Sequence, residues 1–282
     1  MTNFKLLIML ALIKIEWLKI KKYPAFWWML GIVALTYPGI NAMTYYGYLK
    51  ATTGKEMANN VAKLLLGNPF SFPETWHSVA YFSSFFILLP SILVIMLVTN
   101  EYTFKTHRQN IIDGWSRAQF ITSKLFDVMI VSIMATLVYL LVAGSFGIYA
   151  DSSNLFQWSS QLQYIPLFLL QTFAQLSIAF LLGYLVKKAF IALGIFLFYY
   201  LVVENIAVAY ARFKMDDIGR FLPFEISDRI IPAPAFFSRF GKDAKASYDH
   251  ALGLVPEHVV YTILLTTVIW LICYAVHKRR DL

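Results

Sequence analysis

Six runs of about 20 apolar residues dominate this chain, and a run of that length has few ways to fold. Roughly 20 residues of α-helix, at 1.5 Å each, cross the ~30 Å hydrocarbon core of a bilayer, where every backbone N–H and C=O must find its partner internally. The runs lie at 24–46, 77–99, 125–149, 164–186, 189–210 and 257–276. With 59% hydrophobic and only 14% charged residues among 282, too little polar surface remains to cover a soluble domain. The sequence therefore predicts an all-α, polytopic membrane protein: one transmembrane domain of six helices.

Details of the runs set further expectations. Pro90 predicts a kink in the second span, Lys187-Lys188 a tight turn between the fourth and fifth, and Pro256 the first turn of the sixth. Residues 1–23 are too short and too charged to span. In them Leu6, Leu10, Ile13, Trp17 and Ile20 form a charge-free stripe, which predicts an amphipathic helix lying in the membrane interface with its lysines at the headgroups. With both termini inside, the inner segments carry 14 Lys/Arg in 56 residues and the outer ones 10 in 90. Positive charge stays in the cytoplasm, so both ends are expected there. The formal charge of +8 calls for no nucleic acid, since anionic membrane lipids are sufficient partners for it. The last outer segment, 211–256, mixes apolar pieces (218–224, 226–231) with Pro223, Pro232 and Pro234, which predicts short broken helices on or dipping into the far surface.

Between the second and third spans stands a polar island, NEYTFKTHRQNIIDGWSRAQFITSKL, from Asn100 to Leu125. Asn100 is a good N-cap and Glu101 a favourable first-turn anion. Asp113-Gly114 supplies a helix stop, and Ser116 with Gln119 fits a capping box flanked by Trp115 and Phe120 in staple positions. The pattern predicts a short polar helix at about 101–113, a sharp turn, and a new helix running into the third span. A joining loop needs only two to eight residues, so this construction points to a docking surface.

Glu101-Tyr102, Thr106, Ser116-Arg117, Phe120 and Lys124 resemble the signature of type-2 ATP-binding-cassette (ABC) exporter permeases. The amphipathic start and the long last outer segment resemble that family too. Two departures stand out: Lys105 occupies a position usually held by Gly before Thr, and Asp113-Gly114-Trp115 replaces a commoner turn. The resemblance implies that 101–113 is a coupling helix within a cytoplasmic coupling segment at 100–118, seated in a separate ATPase subunit. Glu101, Tyr102, Lys105, Thr106, His107, Arg108, Gly114, Ser116, Arg117 and Lys124 would be its working residues. It further implies a homodimer or a heterodimer with a second permease subunit, an outer gate at 211–256, residence in a prokaryotic cell membrane, and export of a drug, peptide or lipid-like substrate. No Gly-x-x-x-x-Gly-Lys-Ser/Thr loop occurs, so ATP and Mg are expected on the partner subunit and no cofactor in this chain.

Two other function classes would leave their own marks in the sequence. An intramembrane enzyme finds little chemistry here: one cysteine, Cys273, and five histidines with no His-Glu-x-x-His or Gly-x-Ser-x-Gly spacing. An ion-gradient-driven secondary transporter or channel would need ionisable residues within its spans. Glu204 is the clear instance and a candidate for the translocation path, with snorkelling to the outer interface as its structural alternative. Asp127, one turn from Lys124, is expected to pair with it.

Overall fold

The computed structural model describes residues 2–54, 57–112, 114–214, 217–239 and 244–279, and among them every regular element is helical. Helix α1 (Thr2–Lys21) is followed by α2 (Pro24–Thr52), which starts on a proline whose missing N–H is needed by no helical bond. Then come α3 (Met57–Leu66), α4 (Glu74–Ser84) and α5 (Leu88–Thr103). A short α6 (Thr106–Ile112) leads to α7 (Arg117–Ala150) and α8 (Tyr164–Val186). α9 (Ala189–Phe198) passes through a π-helical turn at Tyr199–Val203 into α10 (Glu204–Lys214), and α11 (Pro223–Asp228) and α12 (Ala244–Arg279) complete the chain.

Four of these are long and apolar enough to cross a membrane: α7, α8, the continuous run Ala189–Lys214 and α12. α4 and α5 make a fifth crossing if the pair, bent by 50°, is taken as one broken span. The expected count of six thus rests on α2. Its 29 residues are long enough, but its Trp, Tyr, Pro and Asn residues keep it less apolar than the others. The bend also differs from expectation, because it falls at residues 85–87 and Pro90 sits in the first turn of α5. A proline ring collides with the carbonyl four residues earlier, here Phe86, so the break lies a turn upstream of the proline itself.

α8 matches the expected fourth span residue for residue. It ends where Lys187 takes the left-handed conformation, φ 60°, and its N–H closes on the Gly183 carbonyl at 2.9 Å. α12 starts twelve residues before Pro256, which is embedded in the helix and removes one hydrogen bond without ending it. Its 36 residues measure about 54 Å, so its first turns project past the bilayer core.

α8 is the centre of the bundle, packed on α4, α5, α7, α9, α11 and α12. At Gly183 the α5 and α8 backbones approach so closely that a Cβ would meet the Val98 side chain at 2.6 Å. Small residues at such crossings are how membrane helices gain packing without a hydrophobic drive between them. Buried hydrogen bonds add to it, among them Trp270 Nε1 to Ser177 Oγ (3.0 Å) and Asn41 Nδ2 to Ser83 Oγ (3.1 Å).

Candidate functional site

The polar island is built by two left-handed residues. α5 runs straight through Asn100 and Glu101 to Thr103, so the short helix begins at Thr106 rather than at 101. Asn100 is therefore inside a helix, where its Nδ2 donates to the Tyr23 hydroxyl at 2.6 Å instead of capping. Between the two helices Lys105 adopts φ 57°. This conformation costs a residue with a Cβ roughly 1–2 kcal/mol and glycine almost nothing. Lys105→Gly is accordingly expected to stabilise the segment by about 0.5–1 kcal/mol after allowing for glycine's larger loss of backbone freedom. A lower melting temperature for the variant in detergent would refute this.

α6 is fastened at both ends. Thr106 Oγ1 and His107 Nδ1 reach back to the Glu101 carbonyl at 3.4 and 3.1 Å, and the His107 ring lies 4.6 Å from that of Tyr102. At the other end Gly114, φ 96°, donates to the Ile111 carbonyl and Trp115 N–H to that of Asn110, at 3.0 and 3.1 Å. These nested bonds are the usual closure of a helix at a left-handed glycine. Asp113 lies outside the described residues. The capping box forms as expected: Ser116 Oγ accepts from Gln119 N–H (3.2 Å) and Gln119 Oε1 from Ser116 N–H (2.7 Å). The rings of Trp115 and Phe120 find other partners. Lys19 Nζ lies 5.3 Å from the Trp115 ring and His277 stacks on Phe120 at 5.0 Å.

Behind this segment sits a buried ionic lock. Lys124, 3% exposed, donates to Glu16 Oε2 (2.8 Å), Glu101 Oε1 (2.6 Å) and Asp127 Oδ2 (3.0 Å). One ammonium with three hydrogens thus holds three carboxylates from α1, α5 and α7. The expected Lys124–Asp127 pair is a third of the arrangement. Glu16 is the residue that sequence patterning missed: α1 turns Leu12, Glu16 and Ile20 inward, so its buried face carries a charge, and the side chains of Leu6 and Leu10 lie outside the described residues. Burial alone would raise the Glu16 pKa, but Lys124 and Lys19 outweigh it and hold the carboxyl down at about 2.

The segment is also tied to the end of α8 and to the last turns of α12. Arg117 Nη1 donates to the Lys278 carbonyl at 2.7 Å, Lys187 Nζ lies 5.0 Å from the Tyr102 ring, and Tyr184 OH pairs with His277 Nδ1 at 2.9 Å. Arg108, Lys105 and Gln109 face outward, together with Phe104 and Ile112, which are 72% and 77% exposed. Large apolar side chains this bare, one in the turn before α6 and one at its end, are not singled out by the sequence pattern.

A family model described as ABC-2 family transporter protein matches residues 12–203, which takes in α1 from Leu12, the polar island and the lock. The chain belongs to this family. No curated protein matches the sequence. An ABC-2 protein of this kind is the multi-pass permease of an ABC transporter, a transport component without an ATPase of its own, and the family works with an ABC ATPase in general.

The match ends at Val203, one residue before the remaining sequence candidate. In this ABC-2 permease Glu204 is 4% exposed, and its Oε1 accepts from the backbone N–H groups of Phe224 and Glu225, both at 2.7 Å. These are first-turn donors of α11, which have no partner within their own helix. The geometry gives Glu204 a structural task, capping α11 from another element, where an anion also meets the positive end of the helix dipole. Around it Arg229 bonds Asp217 through two nitrogens (2.5 and 2.7 Å) and Glu225 through Nε (2.8 Å), so the broken helices of the last segment form one braced unit.

Proposed function

We propose that the permease couples ATP hydrolysis on a separate cytoplasmic ATPase subunit to export of a drug, peptide or lipid-like substrate. It acts in the cell membrane as a homodimer or with a sister permease, with both termini in the cytoplasm. ATP and Mg belong to the partner. The observation that supports this reading most strongly is the mounting of α6. Its outward side offers Phe104 and Ile112 beside the cations Lys105 and Arg108, while its base is anchored to α1, α5 and α7 through the Glu101 carbonyl and the Lys124 lock. Apolar anchors ringed by charge suit a protein cleft, and a base with three carboxylates on one ammonium transmits displacement instead of absorbing it.

The expected result is that the chain co-purifies with an ABC ATPase and that export from proteoliposomes requires ATP and that subunit. Transport driven by an ion gradient with no ATPase present would refute the proposal in favour of a secondary transporter.

A further inference from the structure

We infer that Asp228 is the recognition group for a positively charged amine on the transported molecule. This rests on the permease reading and specifies its substrate class as organic ammonium compounds. Asp228 closes α11 and is not covered over by the rest of the chain, yet its carboxylate lies against the middle of α8. Its Oδ1 accepts from Gln171 Nε2 at 2.8 Å and from Gln175 Nε2 at 2.7 Å. Those glutamines lie 7 and 11 residues past Tyr164, about 11 and 17 Å along a helix of about 35 Å. A carboxylate left open at that depth is tolerated where it lines a water-filled cavity, and not against lipid or in a dry core.

The charges nearby leave it uncompensated. Arg229 serves Asp217 and Glu225, Arg212 lies 3.6 Å from Glu225, and Glu204 turns its Oε1 to the backbone N–H groups of Phe224 and Glu225. Among the described residues Asp228 receives only the two neutral amides. A carboxylate is purely an acceptor, so both glutamines must turn their nitrogens to it and leave their carbonyl oxygens beside it. Gln171 and Gln175 are each 1% exposed, and neither Oε1 atom has a hydrogen-bond partner among the described residues. One anion with two orphaned carbonyls is a set of acceptors awaiting a donor of single positive charge. An ammonium supplies its N–H groups, and Phe224, one helical turn from Asp228 and with its ring 4.9 Å from that of Tyr200, offers apolar surface for its carbon skeleton.

The test uses the full permease in nanodiscs of uncharged lipid, above neutral pH, with monodansylcadaverine as a fluorescent primary ammonium and its N-acetyl derivative as the neutral control. Wild type should bind the ammonium about tenfold or more tightly than the acetylated probe. Asp228→Asn, which preserves shape, should erase that preference, and Asp228→Glu should retain most of it. Should Asp228→Asn fail to insert, Gln171→Met is expected to weaken the ammonium probe about threefold and leave the acetylated one unchanged. Equal affinity of wild type for the two probes, or an unaltered preference in Asp228→Asn or Gln171→Met, would overturn the inference. Displacement of the probe by sodium as readily as by an alkylammonium would also overturn it, assigning the site to a metal cation. No ATPase or nucleotide enters these measurements, so failure of ATP-driven export and failure of this site are separately visible.

Discussion

Lys124→Met is expected to destabilise the permease by about 3–5 kcal/mol and to abolish export. The methionine fills the same space but leaves Glu16, 1% exposed, and Asp127, 7% exposed, without the cation that makes their burial tolerable. Most of the loss is the desolvation of these orphaned carboxylates. Neutralising them in the same chain, with Glu16→Gln and Asp127→Asn, should therefore recover much of the stability while export stays low, because the tie between α1, α5 and α7 is still missing. The pH dependence follows from Glu16. Its carboxyl is held at about 2 in the fold against an ordinary 4.5, so its contribution is complete above about 4.5 and is lost as the pH falls from there toward 2. Thermal melts of wild type should fall over that window, and Glu16→Gln should flatten the fall. A melting temperature for Lys124→Met within a degree or two of wild type would show that the buried carboxylates do not depend on Lys124.

Glu204→Leu should have the second-largest effect. Leucine is welcome in a span, yet here it strips the acceptor from two backbone N–H groups of α11, at about 1–3 kcal/mol for each buried donor left unmet. α11 should then lift from α8. Ile226, 8% exposed, reports this: a cysteine placed there should be inert in the parent and reactive toward a thiol reagent in the Glu204→Leu background. Glu204→Gln keeps an acceptor oxygen and should leave Ile226→Cys protected. If the leucine variant protects it equally, Glu204 is not the cap that holds α11.

Much of this architecture is legible in the sequence where a local rule acts alone. Apolar length placed α8, and Ser116 with Gln119 and the glycine at 114 placed the turn, because caps and left-handed residues draw on neighbours within four positions. Long-range pairings were not legible. Glu16 reads as one more polar residue of an interfacial helix until Lys124, 108 positions away, is brought against it. Glu204 likewise finds its partners 20 and 21 residues on, across a loop. Asn100 was misread for the opposite reason: its capping propensity is real, but α5 had no cause to stop there, and the Tyr23 hydroxyl took up its side chain. The left-handed Lys105 had a visible trace, since it stands where the resembling family has glycine.

If α6 acts as a rigid lever, ATP-driven export by Gly114→Val beside wild type should show it. A Cβ at residue 114 would meet nothing within 4 Å, so the substitution introduces no clash. Its effect is confined to the backbone: a β-branched residue at φ 96° is strained by about 1–2 kcal/mol or more and should loosen the closure made by Gly114 and Trp115 N–H groups. The residue is exposed and outside the spans, so insertion and size-exclusion behaviour should be unchanged. The expected result is a variant that still recruits the ATPase but exports at least several-fold more slowly per ATP hydrolysed. Export by Gly114→Val at the wild-type rate and the wild-type ratio to ATP hydrolysis would contradict the lever, and leave α6 a loop.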